Sequence, residues 1–99
     1  MNELIKQVEQ WSINKGLDKA ESSKQFLKVV EEVGEVAAAL ARNDKDALRD
    51  GIGDVIVTMI ILAQQNDMDI HECLNTAYDE IKNRTGKMVD GVFVKSSDL

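Results

Sequence analysis

The chain has 99 residues, no proline, one cysteine and a formal net charge of −6, with a pI near 4.7. That charge argues against a module that grips a nucleic-acid backbone, which is normally basic, and a single cysteine excludes an internal disulfide or a cysteine-built metal site. With 43% hydrophobic and 30% charged residues and abundant Ala, Leu, Glu, Lys and Gln, the sequence predicts one helical domain over residues 1–99.

Residues 2 to 15 carry a helical period, with Leu4, Ile5, Val8, Trp11 and Ile13 near one face and Glu3, Lys6, Gln7, Glu9 and Gln10 outside it. Gly16 is placed to end this helix as a left-handed cap. The N-terminal Met1-Asn2-Glu3-Leu4 is acidic and polar, unlike a signal peptide, and the longest apolar run, Val55 to Ala63, is too short to span a bilayer. The expectation is a cytoplasmic protein that engages neither membrane nor nucleic acid, with Cys73 as a small buried residue in a reducing compartment. Asp18 with Glu21, and Ser22 with Gln25, have capping-box spacing, so a second helix begins between them and runs to about Arg42. Its predicted core stripe is Phe26, Val30, Val33, Ala37 and Leu40, widened by Val29 and Val36. At about 100° per residue, Glu32 and Glu35 lie beside that stripe about 60° apart, and Glu31 adjoins Glu35 one turn on. Lys28 is spaced to pair with Glu32.

The short Asn43-Asp44 turn makes the third helix, roughly Asp46 to Gln65, an antiparallel neighbour of the second. From Ile52 to Ala63 it is apolar nearly all round with Asp54 as its only charge, the pattern of a central or subunit-sharing helix. Gly51 and Gly53 each cost about 1 kcal/mol against alanine in a helix interior, which predicts close packing or backbone approach at both. After Asn66-Asp67-Met68, Asp69 and Glu72 form a capping box for a fourth helix to about Arg84, with Ile70, Leu74, Ala77, Tyr78 and Ile81 inward. Lys87 to Lys95 reads as a hairpin about Asp90-Gly91. An isolated hairpin is marginal, so it is expected to rest on the bundle or on a partner subunit, with Ser96 to Leu99 frayed. Trp11 and Tyr78 read as core residues, and His71 as an exposed residue in the first turn of its helix.

Carboxylates set among apolar residues are costly unless something positive pairs with them. On antiparallel neighbours, Glu32 and Glu35 face Asp54, with Glu31 and Asp50 in reserve, and converging carboxylate oxygens suit Mg²⁺, with Mn²⁺ as the second choice. Such an ion neutralises a triphosphate and acidifies an attacking water. Taken alone, Glu31, Glu32 and Glu35 also read as a solvated helix face. Asp50 reads equally as a surface acid favoured by the helix start, and Asp54 as half of a buried ion pair with an arginine or lysine.

Glu31-Glu32-Val33-Gly34-Glu35-Val36, followed by Gly53-Asp54-Val55, resembles the MazG-like nucleotide pyrophosphohydrolases of the all-α NTP pyrophosphatase group, from about Phe26 to Lys95. The family pattern is two acids three residues apart on one helix, then an acid three residues before an Asp on the next. Glu32, Glu35 and Asp54 match it; the remaining position is Gly51, for which Asp50 is the nearest substitute, so one ion is expected to be held firmly and the second is left open. The resemblance implies an all-α, four-helix bundle-like fold with a short C-terminal hairpin, assembled as a homodimer or homotetramer. It implies Mg²⁺-dependent hydrolysis of a nucleoside triphosphate to monophosphate and pyrophosphate. Metal ligands are then Glu32, Glu35, Asp50 and Asp54. Glu31 or Glu32 orients the water, Lys82 assists catalysis, and Asn83, Arg84 and Lys87 bind the substrate phosphates. Two rival readings stay open: a nucleotide- or metal-binding interaction module without catalysis, favoured by Gly51, and a purely structural bundle.

Overall fold

The computed structural model describes residues 2–99; Met1, the start of the acidic N-terminal tetrapeptide, lies outside the described residues. The elements follow in the predicted order: α1 (Asn2–Asn14), α2 (Ser22–Ala41), α3 (Lys45–Gln65), α4 (Ile70–Ile81), β1 (Gly86–Val89) and β2 (Val92–Lys95), with short 3-10 turns at Leu17–Lys19 and Ser96–Asp98. None of the described helices is long and apolar enough to cross a membrane.

The helix ends are written in the turn residues. Gly16 takes φ 75°, and Asn43 and Asp67 take φ 56° and 58°, the left-handed conformation that Gly, Asn and Asp tolerate best. Asp44 then caps α3 by accepting the Ala47 N–H at 3.0 Å, and Asp69 caps α4 by accepting the Glu72 N–H at 2.8 Å. At α2 the outcome differs from the expected capping box. Ser22 is already helical, Glu21 precedes it with no side-chain cap, and Asp18 lies in the 3-10 turn. Gln25 is diverted to donate to the Thr58 carbonyl of α3 at 3.0 Å, so a tertiary bond wins over the local one. α4 ends at Ile81, short of Arg84. The hairpin forms about Asp90 (φ 51°) and Gly91 (φ 82°) with Val89 opposite Val92, the backbone signature of a tight two-residue turn. Ser96 does not fray: its N–H donates to the Thr85 carbonyl at 2.7 Å and its hydroxyl meets that of Thr85.

α3 is the centre of the molecule, flanked by α2, α1 and α4, and it supplies the buried Gly51, Ile60, Ile61 and Ala63. α2 meets it through Ser22, Gln25, Val29, Glu32, Val36 and Ala39, all buried or half-buried and spaced alternately by three and four residues, a heptad-like seam. The stripe predicted as core is therefore used only at its margin, where Val29 and Val36 lie in the seam, and Ala37 is exposed. Phe26, Val30, Val33 and Leu40 keep 51–58% of their surface exposed, a quarter turn to one side of the seam, while Glu35 lies about a quarter turn to the other. The helix pair thus has an acid flank and an apolar flank, and the exposed Ile52 and Met59 of α3 continue the apolar one.

Three further expectations are corrected. α1 turns Ser12 inward, fully buried, and leaves Trp11 half exposed. Gln64 and Gln65 of α3 donate to the Glu9 and Leu17 carbonyls at 3.2 and 2.9 Å, so side-chain bonds to the backbone of α1 and of the turn after it set its rotation, and a small residue lets the helices close up. The face of α4 expected inward is exposed at Leu74, Ala77, Tyr78 and Ile81, and Cys73 is only half-buried. The hairpin pairs with itself, and every side chain in it except Val94 is exposed.

These exposed faces add up. The chain shows 7514 Å² of accessible surface, where a compact monomer of this mass would show about 5,600 Å². Its radius of gyration is 16.2 Å, against about 13 Å for a compact chain of this length.

Candidate metal centre on the second and third helices

Glu32 sits in the α2 seam and is half-buried, as is Asp54 on α3; Glu31 and Glu35 flank Glu32 and are exposed. Burial first, then the charges of Asp54, Glu35 and Glu31, push the Glu32 carboxyl above its ordinary value of 4.5, against the opposing pull of Lys28. Lys28 pairs with Glu31 at 3.7 Å, one residue short of the expected Glu32 partner. That contact is exposed at both ends, and such pairs contribute little. Among the described residues, no ion pair reaches Glu32, Glu35, Asp50 or Asp54, so the reading of Asp54 as half of a buried salt bridge finds no partner in this chain.

The acids share one flank without closing on one point: among the described residues, no three His, Cys, Asp or Glu side chains form a ready-made metal cage. Like charges repel, Lys28 offsets them only at an exposed contact with Glu31, and the exposed glutamates have rotamer freedom to close on an arriving cation. The donor set is all oxygen and net negative, which fits a hard divalent ion and offers zinc none of its usual nitrogen or sulfur ligands.

The sign of the Glu32 shift yields a test. An acid with a raised folded-state pKa holds its proton more tightly when folded, so stability is lost as pH rises from about 4.5. Without metal, the wild-type melting temperature is expected to fall relative to that of Glu32→Gln as pH rises above about 4.5, and saturating Mg²⁺ should reverse the order. Parallel pH profiles without metal would show that Glu32 carries no such strain.

Gly51 explains the departure from the expected acid pattern. It is buried against α2, and a Cβ there would meet Val36 Cγ2 at 3.1 Å and its Cα at 3.7 Å. A ligand side chain at that position would have to displace Val36. Asp50, one residue earlier, is exposed and turned about 100° around the helix, and it is not among the charges that act on Glu32. It lies instead with Asp54 on a groove of about 610 Å³ between α1 and α3. Asp46, Arg49 and Gly53 line the same groove. Asp46 and Arg49 were not singled out from the sequence as site residues, although the series 46, 49, 53, 56, 60 follows one helical face; Gly53 was expected to be closely packed, and a Cβ there would meet nothing within 4 Å.

The basic and amide residues at the end of α4 stand apart from the acids. Lys82 pairs with Asp79 at 3.1 Å, and Arg84 lines a shallow pocket with Phe93, Lys95 and Asp98. No hydrogen bond or ion pair joins Lys82, Asn83, Arg84 or Lys87 to an acid of α2 or α3 among the described residues.

Fold and site together define a class: a helical protein whose two antiparallel central helices carry Glu32, Glu35 and Asp54 with no ion-pair partner among the described residues. Residues 20–89 match the MazG nucleotide pyrophosphohydrolase domain, and the chain belongs to that family. It is also 43% identical over 70 residues to an uncharacterized 18.2 kDa protein from the rep-hol intergenic region of Haemophilus phage HP1 (strain HP1c1). That match covers 70% of this chain and 43% of the phage protein, so the chain spans less than half the length of this relative. No solved structure matches the chain.

Proposed function

We propose that the chain hydrolyses nucleoside triphosphates, ribo or deoxy, to the monophosphate and pyrophosphate, using Mg²⁺, with Mn²⁺ as a substitute. The observation that carries this reading is the acid flank, in which half-buried Glu32 and Asp54 and exposed Glu35 have no ion-pair partner among the described residues and only Glu31 meets a lysine, in a chain of the nucleotide pyrophosphohydrolase family. A negatively charged site repels a polyphosphate unless a cation intervenes.

Glu32, Glu35 and Asp54 would hold the ion through carboxylate oxygens, and Asp50 would contribute from the groove side. When bound, Mg²⁺ would supply positive charge for the polyphosphate oxygens and acidify a water. Glu31, next to Glu32 and open to solvent, would take a proton from the water that adds to phosphorus. The α–β phosphoanhydride bond breaks and the bridging oxygen leaves with one product. Phosphoryl transfer asks the protein chiefly for positioning and charge, so Lys82, Asn83, Arg84 and Lys87 suffice to hold the outer phosphates. They are detached from the acids within one chain, and the apolar faces of α2 and α4 are uncovered. We therefore place them in the site of a neighbouring subunit of a homodimer or homotetramer.

The decisive assay is a panel of NTPs and dNTPs with Mg²⁺ and product identification. Monophosphate plus pyrophosphate is the expected result; orthophosphate as the direct product would overturn the proposal. A second reading, nucleotide binding without turnover, draws on Gly51, whose burial under Val36 removes one ligand position. Tight binding of Mg²⁺–nucleotide with no product would favour it.

A further inference from the structure

We propose that the groove between α1 and the N-terminal half of α3 seats the base and sugar of the nucleotide whose phosphates the acid centre binds. This rests on the pyrophosphohydrolase reading and adds to it the part of the chain that recognises the nucleoside.

Asp54 belongs to both places: it is half-buried on α3, whose seam with α2 holds the half-buried Glu32, and it lines the groove. The groove therefore begins where the acid centre ends. Its volume of about 610 Å³ falls in the range of small-molecule sites. Leu4, Ile5 and Val8 of α1 wall it on one side, and Ile56 and Val57 of α3 on the other. A nucleoside triphosphate has the same division, a polyanionic end that needs a cation and a flat end with apolar faces.

Gly53 is the second observation. Gly51 is explained by Val36, but a Cβ on Gly53 would meet nothing within 4 Å. A glycine inside a helix costs about 1 kcal/mol against alanine, and packing within the chain does not account for it here. Gly34 on α2 is equally open, so openness alone does not single out Gly53; its place in the groove wall between Asp50 and Asp54 does. The space it leaves is where a ligand must pass from the carboxylates into the apolar groove. A protein segment is a poorer occupant, because it would bury Asp46, Asp50 and Asp54 against a wall whose only cation, Arg49, already pairs with Asp46 at 3.0 Å.

The test uses the full chain with Gly53→Ala and Gly53→Leu, measuring melting temperature, mass by light scattering, steady-state kinetics on dNTPs with Mg²⁺, and inhibition by inorganic tripolyphosphate, which lacks a nucleoside. Gly53→Ala should melt at or above the wild-type temperature, because the helix gains propensity and nothing clashes. KM for dNTPs should rise about threefold in Gly53→Ala and at least about tenfold in Gly53→Leu, the scale on which one or a few methylenes discriminate in a pocket. kcat should change little, as when binding common to ground and transition states is lost. The tripolyphosphate inhibition constant and the oligomeric mass should stay unchanged. The groove proposal is overturned if KM does not move, if tripolyphosphate inhibition weakens in parallel, or if the mass changes, which would assign the groove to a second copy of the chain. If the wild type releases no monophosphate and pyrophosphate from any nucleotide, the underlying reading fails and this proposal with it. Wild-type turnover with an indifferent Gly53→Leu removes the groove alone.

Discussion

Replacing Glu35 by glutamine is expected to lower nucleotide turnover about 10³-fold, more than losing a residue that merely orients a metal ligand and comparable to losing a transition-state hydrogen-bond donor. The metal-free fold should stay at least as stable as wild type. Glu35 is exposed and makes no ion pair among the described residues, and its charge is one of three that burden Glu32. The amide keeps the size of the side chain and removes the charge, so the folded protein loses a repulsion and the cation loses a ligand. Thermal shift separates these effects. At a hundredfold excess over Kd, a ligand stabilises by about 2.7 kcal/mol, and each kcal/mol moves the melting temperature of a small domain by about 4–8 °C. Wild type should show that upward shift with Mg²⁺ and Glu35→Gln should largely lose it. Glu21→Gln is the matched control, since Glu21 is exposed just before the same helix and among the described residues pairs only with Lys24, at 3.8 Å. Full activity and an undiminished Mg²⁺ shift in Glu35→Gln would remove Glu35 from the centre.

The number, order and turns of the elements were legible because they are encoded locally. Asp44 and Asp69 stand where caps are needed, Gly16 and Gly91 where φ is positive, and each acts within a few residues of its own position. The faces were less legible. α2 carries two apolar seams, and sequence preferred the richer one, with Phe26, Val30, Val33 and Leu40. The chain instead buries the mixed seam of Val29, Glu32, Val36 and Ala39 against α3. Periodicity says that a face is apolar, not which neighbour covers it, and the chain holds more apolar faces than it can cover by itself. The same limit applies to Tyr78 on α4. Glu32 and Asp54 stood out as acids among apolar residues, and both are half-buried. The groove was not anticipated because it depends on how α1 is rotated, and that rotation comes from Gln64 and Gln65 bonding to α1 and the following turn from more than 40 residues away.

A charge on the apolar flank of α2 should have the largest effect of any change outside the acid centre. Val33→Glu is expected to convert an oligomer of the 11.0 kDa chain into monomers at micromolar concentration, with a lower melting temperature and loss of turnover. The flank belongs to an excess of about 1,900 Å² over the surface of a compact monomer, within the roughly 1,000–2,500 Å² that each chain of an obligate dimer buries. Val33 lies in the middle of that stripe and is 51% exposed in the single chain, so a carboxylate there is tolerated by the monomer and opposed only by assembly. In a two-fold interface the substitution occurs twice. Each copy forfeits about 1.5–3 kcal/mol of side-chain burial and adds several kcal/mol for desolvating an unpaired charge, which together exceed the roughly 8 kcal/mol of a micromolar complex. Turnover should fall with assembly, because Lys82, Asn83, Arg84 and Lys87 do not meet the acids of their own chain. Mixing Val33→Glu with Glu35→Gln should restore nothing. Sedimentation of the wild type as a monomer at all concentrations, or full activity in monomeric Val33→Glu, would return the site to a single chain and require those four residues to reach it from α4 of the same subunit.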